Sequence, residues 1–155
     1  MSAAYELDRM FWERNGYVII PEAVPAANLG AVVEAIWAFL EIDGDDPESW
    51  YSHRPRTAEK PSPISEAGMV EMYQHQSLWD NRQHQRVYQA FVDLLGTPEL
   101  WVSLDRVNMK PPVRDDRPEW DFGGMVHWDR DTSVDCASFG VQGVRGDAQL
   151  HSGLI

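Results

Sequence analysis

The sequence predicts a single α+β domain covering residues 1–155, with helices packed on a sheet. Three observations carry that prediction. Apolar residues recur at helical spacing between Leu29 and Leu40, short β-branched or alternating segments flank that stripe, and Gly, Pro and Asp punctuate the chain at element ends. A chain of 155 residues has the length of one ordinary domain, and 43% hydrophobic with 25% charged residues is a globular composition.

The elements follow in order. Leu7, Met10 and Phe11 fall at helical spacing, and Gly16 stands where a left-handed residue stops a helix. Tyr17-Val18-Ile19-Ile20, ended by Pro21, has the β-branched character of a short buried strand. Leu29, Val32, Val33, Ile36, Trp37 and Leu40 then form one broad apolar stripe on a helix starting near Pro25. The stretches 43–50 and 54–65, rich in Asp, Pro and Ser, read as a surface excursion. Asp80 is placed to cap a helix carrying Val87, Phe91, Leu94 and Leu95, which Gly96 stops. WVSLDRVNMK, 101–110, alternates as a strand and ends at Pro111-Pro112, and FGVQGV, 139–144, reads as one more strand.

Charge and cysteine content exclude several functions. A formal charge of −12 with no clustered Lys or Arg disfavours nucleic acid, whose phosphates require a basic face. Cys136 is the single cysteine, which rules out an intramolecular disulfide and a thiolate metal cage and fits a reducing compartment. No apolar run approaches the roughly 18 residues that span a bilayer, so the expectation is a cytoplasmic protein with no membrane partner.

The chemistry is concentrated in GGMVHWDRDTS, 123–133. On a strand, side chains at i and i+2 share a face, so His127 and Asp129 can direct an imidazole nitrogen and a carboxylate oxygen at one metal ion. Such a pair supplies two of the three ligands of the 2-His-1-carboxylate triad, whose open positions suit non-haem Fe(II) oxygenases. By itself, His-x-Asp is equally the pattern of an exposed pair in a turn of an acidic chain.

The order FWERNGYVIIPEAV, an amphipathic helix, LWVSLDRVNMKPP, a Gly-containing loop and MVHWDRDTS resembles the phytanoyl-CoA dioxygenase family of Fe(II)/2-oxoglutarate oxygenases. The likeness runs from about Leu7 to Val144. It implies a partial double-stranded β-helix, or jelly roll, braced by N-terminal helices. It also implies His127 and Asp129 as iron ligands, Fe(II) as metal, 2-oxoglutarate as cosubstrate, and hydroxylation of a small-molecule or acyl substrate. Lys110 matches the lysine before the paired prolines, near the cosubstrate or on the pocket wall, and Gln142 faces the same pocket as a second cofactor-binding candidate.

The departure from the family lies after Val144, where RGDAQLHSGLI lacks a strand pattern. The family's distal histidine and its 2-oxoglutarate-binding arginine come many residues beyond His-x-Asp. The expectation is therefore the front part of such an enzyme with residues 145–155 as a divergent tail, or a catalytically inactive fragment acting at most as an interaction module. His151 is the sole histidine after the motif, and nothing near it fixes an imidazole in place. Strands left without neighbours would favour self-association.

Other candidates carry less. His75 and His84 have neither helical nor strand ligand spacing, and His53 reads as loop. Arg145-Gly146-Asp147 matches the integrin tripeptide in a chain with no export signal. Trp12, Trp37 and Trp101 lie in apolar patterns expected in the core, while Trp120 and Trp128 flank the motif and are placed near the site. Arg106 is expected to pair with an acid.

Overall fold

The computed structural model describes residues 8–57, 59–127, 129, 133 and 141–143. The strand expected over 139–144 is therefore described only at its middle, and Cys136, Arg145 and His151 lie outside the described residues.

Helix α1, Arg9–Asn15, begins where the Asp8 carboxylate accepts the Phe11 N–H at 2.8 Å. It stops at Gly16, whose φ of 76° is the expected left-handed conformation and whose N–H donates to the Trp12 carbonyl. Tyr17–Ile20, expected as a buried strand, joins no ladder in the described structure, and Tyr17 and Ile19 face solvent. Helix α2, Ala26–Leu40, starts immediately after Pro25 as the stripe predicts, and buries Ala35, Ile36 and Leu40.

The expectation for the next helical region is corrected. Asp80 lies inside helix α3, Gln76–Arg82, and a separate helix α4, Gln85–Leu95, follows. The start is earlier than Asp80 because the His75 imidazole accepts the Ser77 N–H at 3.3 Å, and His84 occupies the second cap position. Buried Asn81 ties α3 to α2, donating to the Asn28 carbonyl at 3.1 Å and to the Ser77 carbonyl at 2.9 Å. Gly96, φ 72°, ends α4 as expected.

Two short strands, β1 Met69–Val70 and β2 Val107–Asn108, pair antiparallel with Val70 opposite Val107. The ladder covers only this part of the expected 101–110 strand, because β1 lies alongside it only here. Trp101 is 100% exposed, which overturns its expected core role. Side-chain alternation decides the strand's faces: Val70 is buried and neighbouring Met69 exposed. Val70 joins Ala35, Ile36 and Leu40 of α2, Leu78 of α3, and Ile64, Met72 and Trp120 in one core cluster. Each such buried aliphatic side chain contributes roughly 1.5–3 kcal/mol.

Gly68 makes the strand pair possible. Its φ is 83°, its carbonyl accepts the Met109 N–H at 2.8 Å, and a Cβ there would lie 2.9 Å from the Met109 carbonyl oxygen. Among the described residues no helix is long and apolar enough to cross a membrane.

Candidate metal centre

The chain that leads to His127 and Asp129 is anchored twice. The Tyr51 hydroxyl donates to the Pro112 carbonyl at 2.6 Å, and its ring lies beneath the guanidinium groups of Arg114 and Arg117 at 5.1 and 5.9 Å. Trp120 is then fully buried in the core cluster. The indole, expected to flank the site, serves as the core anchor of the segment that leads to it. After Trp120 the chain emerges through Gly123 and Gly124, the latter at φ 80°, and carries Met125, Val126 and His127 at the surface.

The fold brings His127 and Asp129 together. His127 Nε2 and Asp129 Oδ1 are 2.9 Å apart, and both side chains are about half exposed, at 53% and 55%. That separation is the contact distance of a hydrogen-bonded His–Asp pair, and it keeps one imidazole nitrogen and one carboxylate oxygen side by side at the surface. The other imidazole nitrogen, Nδ1, faces the Met125 carbonyl oxygen at 3.4 Å, so Nε2 is the nitrogen left toward the carboxylate.

Gln142 meets Asp129 directly. Its Nε2 donates to Asp129 Oδ2 at 2.6 Å, so the amide holds the carboxylate and leaves Oδ1 toward His127. That bond is the largest cause holding the Asp129 pKa below its ordinary value, and it keeps the carboxylate ionised. Gln142 is carried there by segment 141–143, which approaches α4 so closely that a Cβ on Gly143 would lie 3.1 Å from the Phe91 ring. No motif spacing signals this contact, since the two residues are 13 apart in sequence.

Lys110 meets Phe122. Its ammonium donates to the Phe122 carbonyl at 3.3 Å and lies 5.4 Å from the Phe122 ring centroid, so it braces the loop before the motif. Arg106 pairs with acids as expected, meeting Glu71 at 3.4 Å and Asp105 at 3.6 Å. Among the described residues no group of three His, Cys, Asp or Glu side chains converges, and His75 caps α3 instead of joining His127. His53 Nε2 meets the Leu40 carbonyl at 2.5 Å and so closes the end of α2.

The residues present fit a metal as two of its ligands, one neutral nitrogen and one anionic oxygen, with borderline-hard chemistry suited to Fe(II) or Co(II). No family model matches the chain, and no curated protein or solved structure matches it.

Proposed function

We propose that this chain carries the His-x-Asp half of a non-haem Fe(II)/2-oxoglutarate dioxygenase centre, resembling that of the phytanoyl-CoA dioxygenase family, within a partial jelly roll. The observation that supports the reading is the 2.9 Å separation of His127 Nε2 and Asp129 Oδ1 on accessible side chains. Iron bound there would supply oxygen chemistry for C–H hydroxylation of a small-molecule substrate, coupled to decarboxylation of 2-oxoglutarate. The chain's own share is to set His127 Nε2 beside Asp129 Oδ1, to hold Asp129 ionised through Gln142, and to fix the loop through Lys110, Tyr51 and Trp120.

The test is metal binding by the purified chain, read by Co(II) absorption and calorimetry. Weak binding is expected, because two protein ligands leave most positions to water, and His127→Ala or Asp129→Ala should each abolish it. Equal binding by wild type and both variants sinks the assignment.

A second reading, an inactive module that binds partners or its own copies, is favoured by the exposed apolar side chains of Trp101, Val102, Leu104 and Val126. Metal-dependent succinate formation from 2-oxoglutarate by the chain alone would exclude it.

A further inference from the structure

A cleft of about 550 Å³, away from His127 and Asp129 in its lining, is formed by Arg56, Thr57, Ser65, Glu66, Ala67 and Phe122. Its size is in the range that holds a small molecule. Two of its lining side chains are hydroxyls with a donor to spare. Thr57 Oγ1 already accepts the Lys60 N–H at 3.1 Å, and Ser65 Oγ accepts the Met69 N–H at 3.1 Å, so each hydroxyl proton is left to donate.

Arg56 adds charge to those donors. Its Nη1 bonds Glu71 Oε1, an oxygen that also accepts from Arg106 Nη1 at 3.4 Å, while Glu71 Oε2 accepts the Tyr73 hydroxyl at 2.7 Å. One carboxylate therefore serves two guanidinium groups, and both of its oxygens are engaged. Among the described residues Arg56 has no other side-chain hydrogen bond, which leaves Nε and Nη2 to offer donors. The Arg56–Ile64 backbone bond, 2.7 Å, and the paired Thr57–Lys60 backbone bonds hold this loop in place. The Phe122 ring also lines the cleft and adds apolar surface, with the Lys110 ammonium 5.4 Å from its centroid.

We propose that this cleft binds a small organic acid, its carboxylate on Arg56, Thr57 and Ser65 and its apolar body against Phe122. A lining that combines hydroxyl donors, a guanidinium and an aromatic ring complements a group that only accepts, attached to an apolar frame. Glu66 is the single lining group of the wrong sign, and it sets the ceiling on affinity. The site needs no metal, so its test stands whether or not His127 and Asp129 hold iron.

The experiment titrates the full chain, without added metal, with phenylacetate, its uncharged analogue phenylacetamide, and inorganic phosphate, followed by amide NMR shifts at Thr57, Ser65 and Phe122. Phenylacetate should bind at least tenfold more tightly than either comparator. Arg56→Gln should erase that preference, and Glu66→Gln should tighten phenylacetate about two- to fivefold, the effect of removing one exposed like charge. Equal binding of phenylacetate and phenylacetamide overturns the proposal, as does phosphate binding as tightly as phenylacetate. Should Arg56→Gln lose its fold by circular dichroism, the Glu66→Gln arm decides, because that side chain is exposed, and unchanged affinity there also overturns the proposal.

Discussion

Replacing Gly68 by alanine tests whether the close β1–β2 junction holds the fold together. Two costs act on the same atom. An L-residue at φ 83° carries a left-handed penalty of about 1–2 kcal/mol. The new Cβ would also lie 2.8 Å from Asn108 Oδ1, 2.9 Å from the Met109 carbonyl oxygen and 3.0 Å from Lys110 Cβ. The Met109 contact is backbone, held in place by the bond from its own N–H to Gly68, so relief requires moving β2. Overpacking of that kind costs about 1–3 kcal/mol, for a total of about 2–5 kcal/mol. Gly96→Ala is the control, since Gly96 has φ 72° and a Cβ placed there would meet nothing within 4 Å, and it should cost only the first part. Urea unfolding followed by tryptophan fluorescence measures both, and with a slope of about 1–3 kcal/mol per molar the Gly68 variant should unfold at a clearly lower concentration. If Gly68→Ala is no more destabilising than Gly96→Ala, the close approach of β2 to Gly68 is refuted.

Other outcomes follow from the same geometry. Gln142→Met keeps the side chain's length and loses its donor to Asp129, so Co(II) affinity should fall about 10–100-fold with the fold unchanged by circular dichroism; equal affinity would remove Gln142 from the site. Glu71 is held below its ordinary pKa of 4.5, first by the Tyr73 hydroxyl and then by Arg56, and Asp116 is held below 3.8, chiefly by Arg114. Folded values lower than unfolded ones stabilise the protein above those ordinary values, and the contribution is lost as pH falls through the folded values. The urea midpoint should therefore hold from pH 7 to about 5 and drop below about 4.5, less steeply in Glu71→Gln. A midpoint already falling between pH 7 and 6 would contradict this. Exposed Trp101 and Val126 should drive association at micromolar concentration, measured by sedimentation and reduced in Trp101→Lys. A monomer unaffected by that substitution would show that these side chains contribute nothing to association.

Local features of the chain were largely legible. Helix stops at Gly16 and Gly96 need a residue that tolerates positive φ, and both sit where the apolar periodicity ends. The stripe from Leu29 to Leu40 identifies α2 because burial of one face repeats with the helix turn; Ile36 and Leu40 of the stripe are buried, together with Ala35, which the stripe did not include. The His127–Asp129 pair was visible for the same reason, as it depends on residues only two apart. Asp80 misled because a good capping residue also stands comfortably inside a helix whose cap lies upstream at His75.

What composition and spacing determined by themselves is therefore the helix stops at Gly16 and Gly96, the apolar stripe of α2 and the candidate ligands, all set by interactions within a few residues. Tertiary structure alone decided the rest. Trp101 and Trp120 are the same residue type, yet one is wholly exposed and the other wholly buried, because only Trp120 meets α2, α3 and β1 in the shared core. Gln142 reaches Asp129 because Gly143 lets its segment approach Phe91. Arg56, Glu71, Tyr73 and Arg106 form one charge cluster from residues spread over three stretches of chain, and Arg56 lines a cleft that no spacing announces. Such contacts join segments that are distant in sequence, and their energies depend on distance and burial that exist only once the chain has closed on itself.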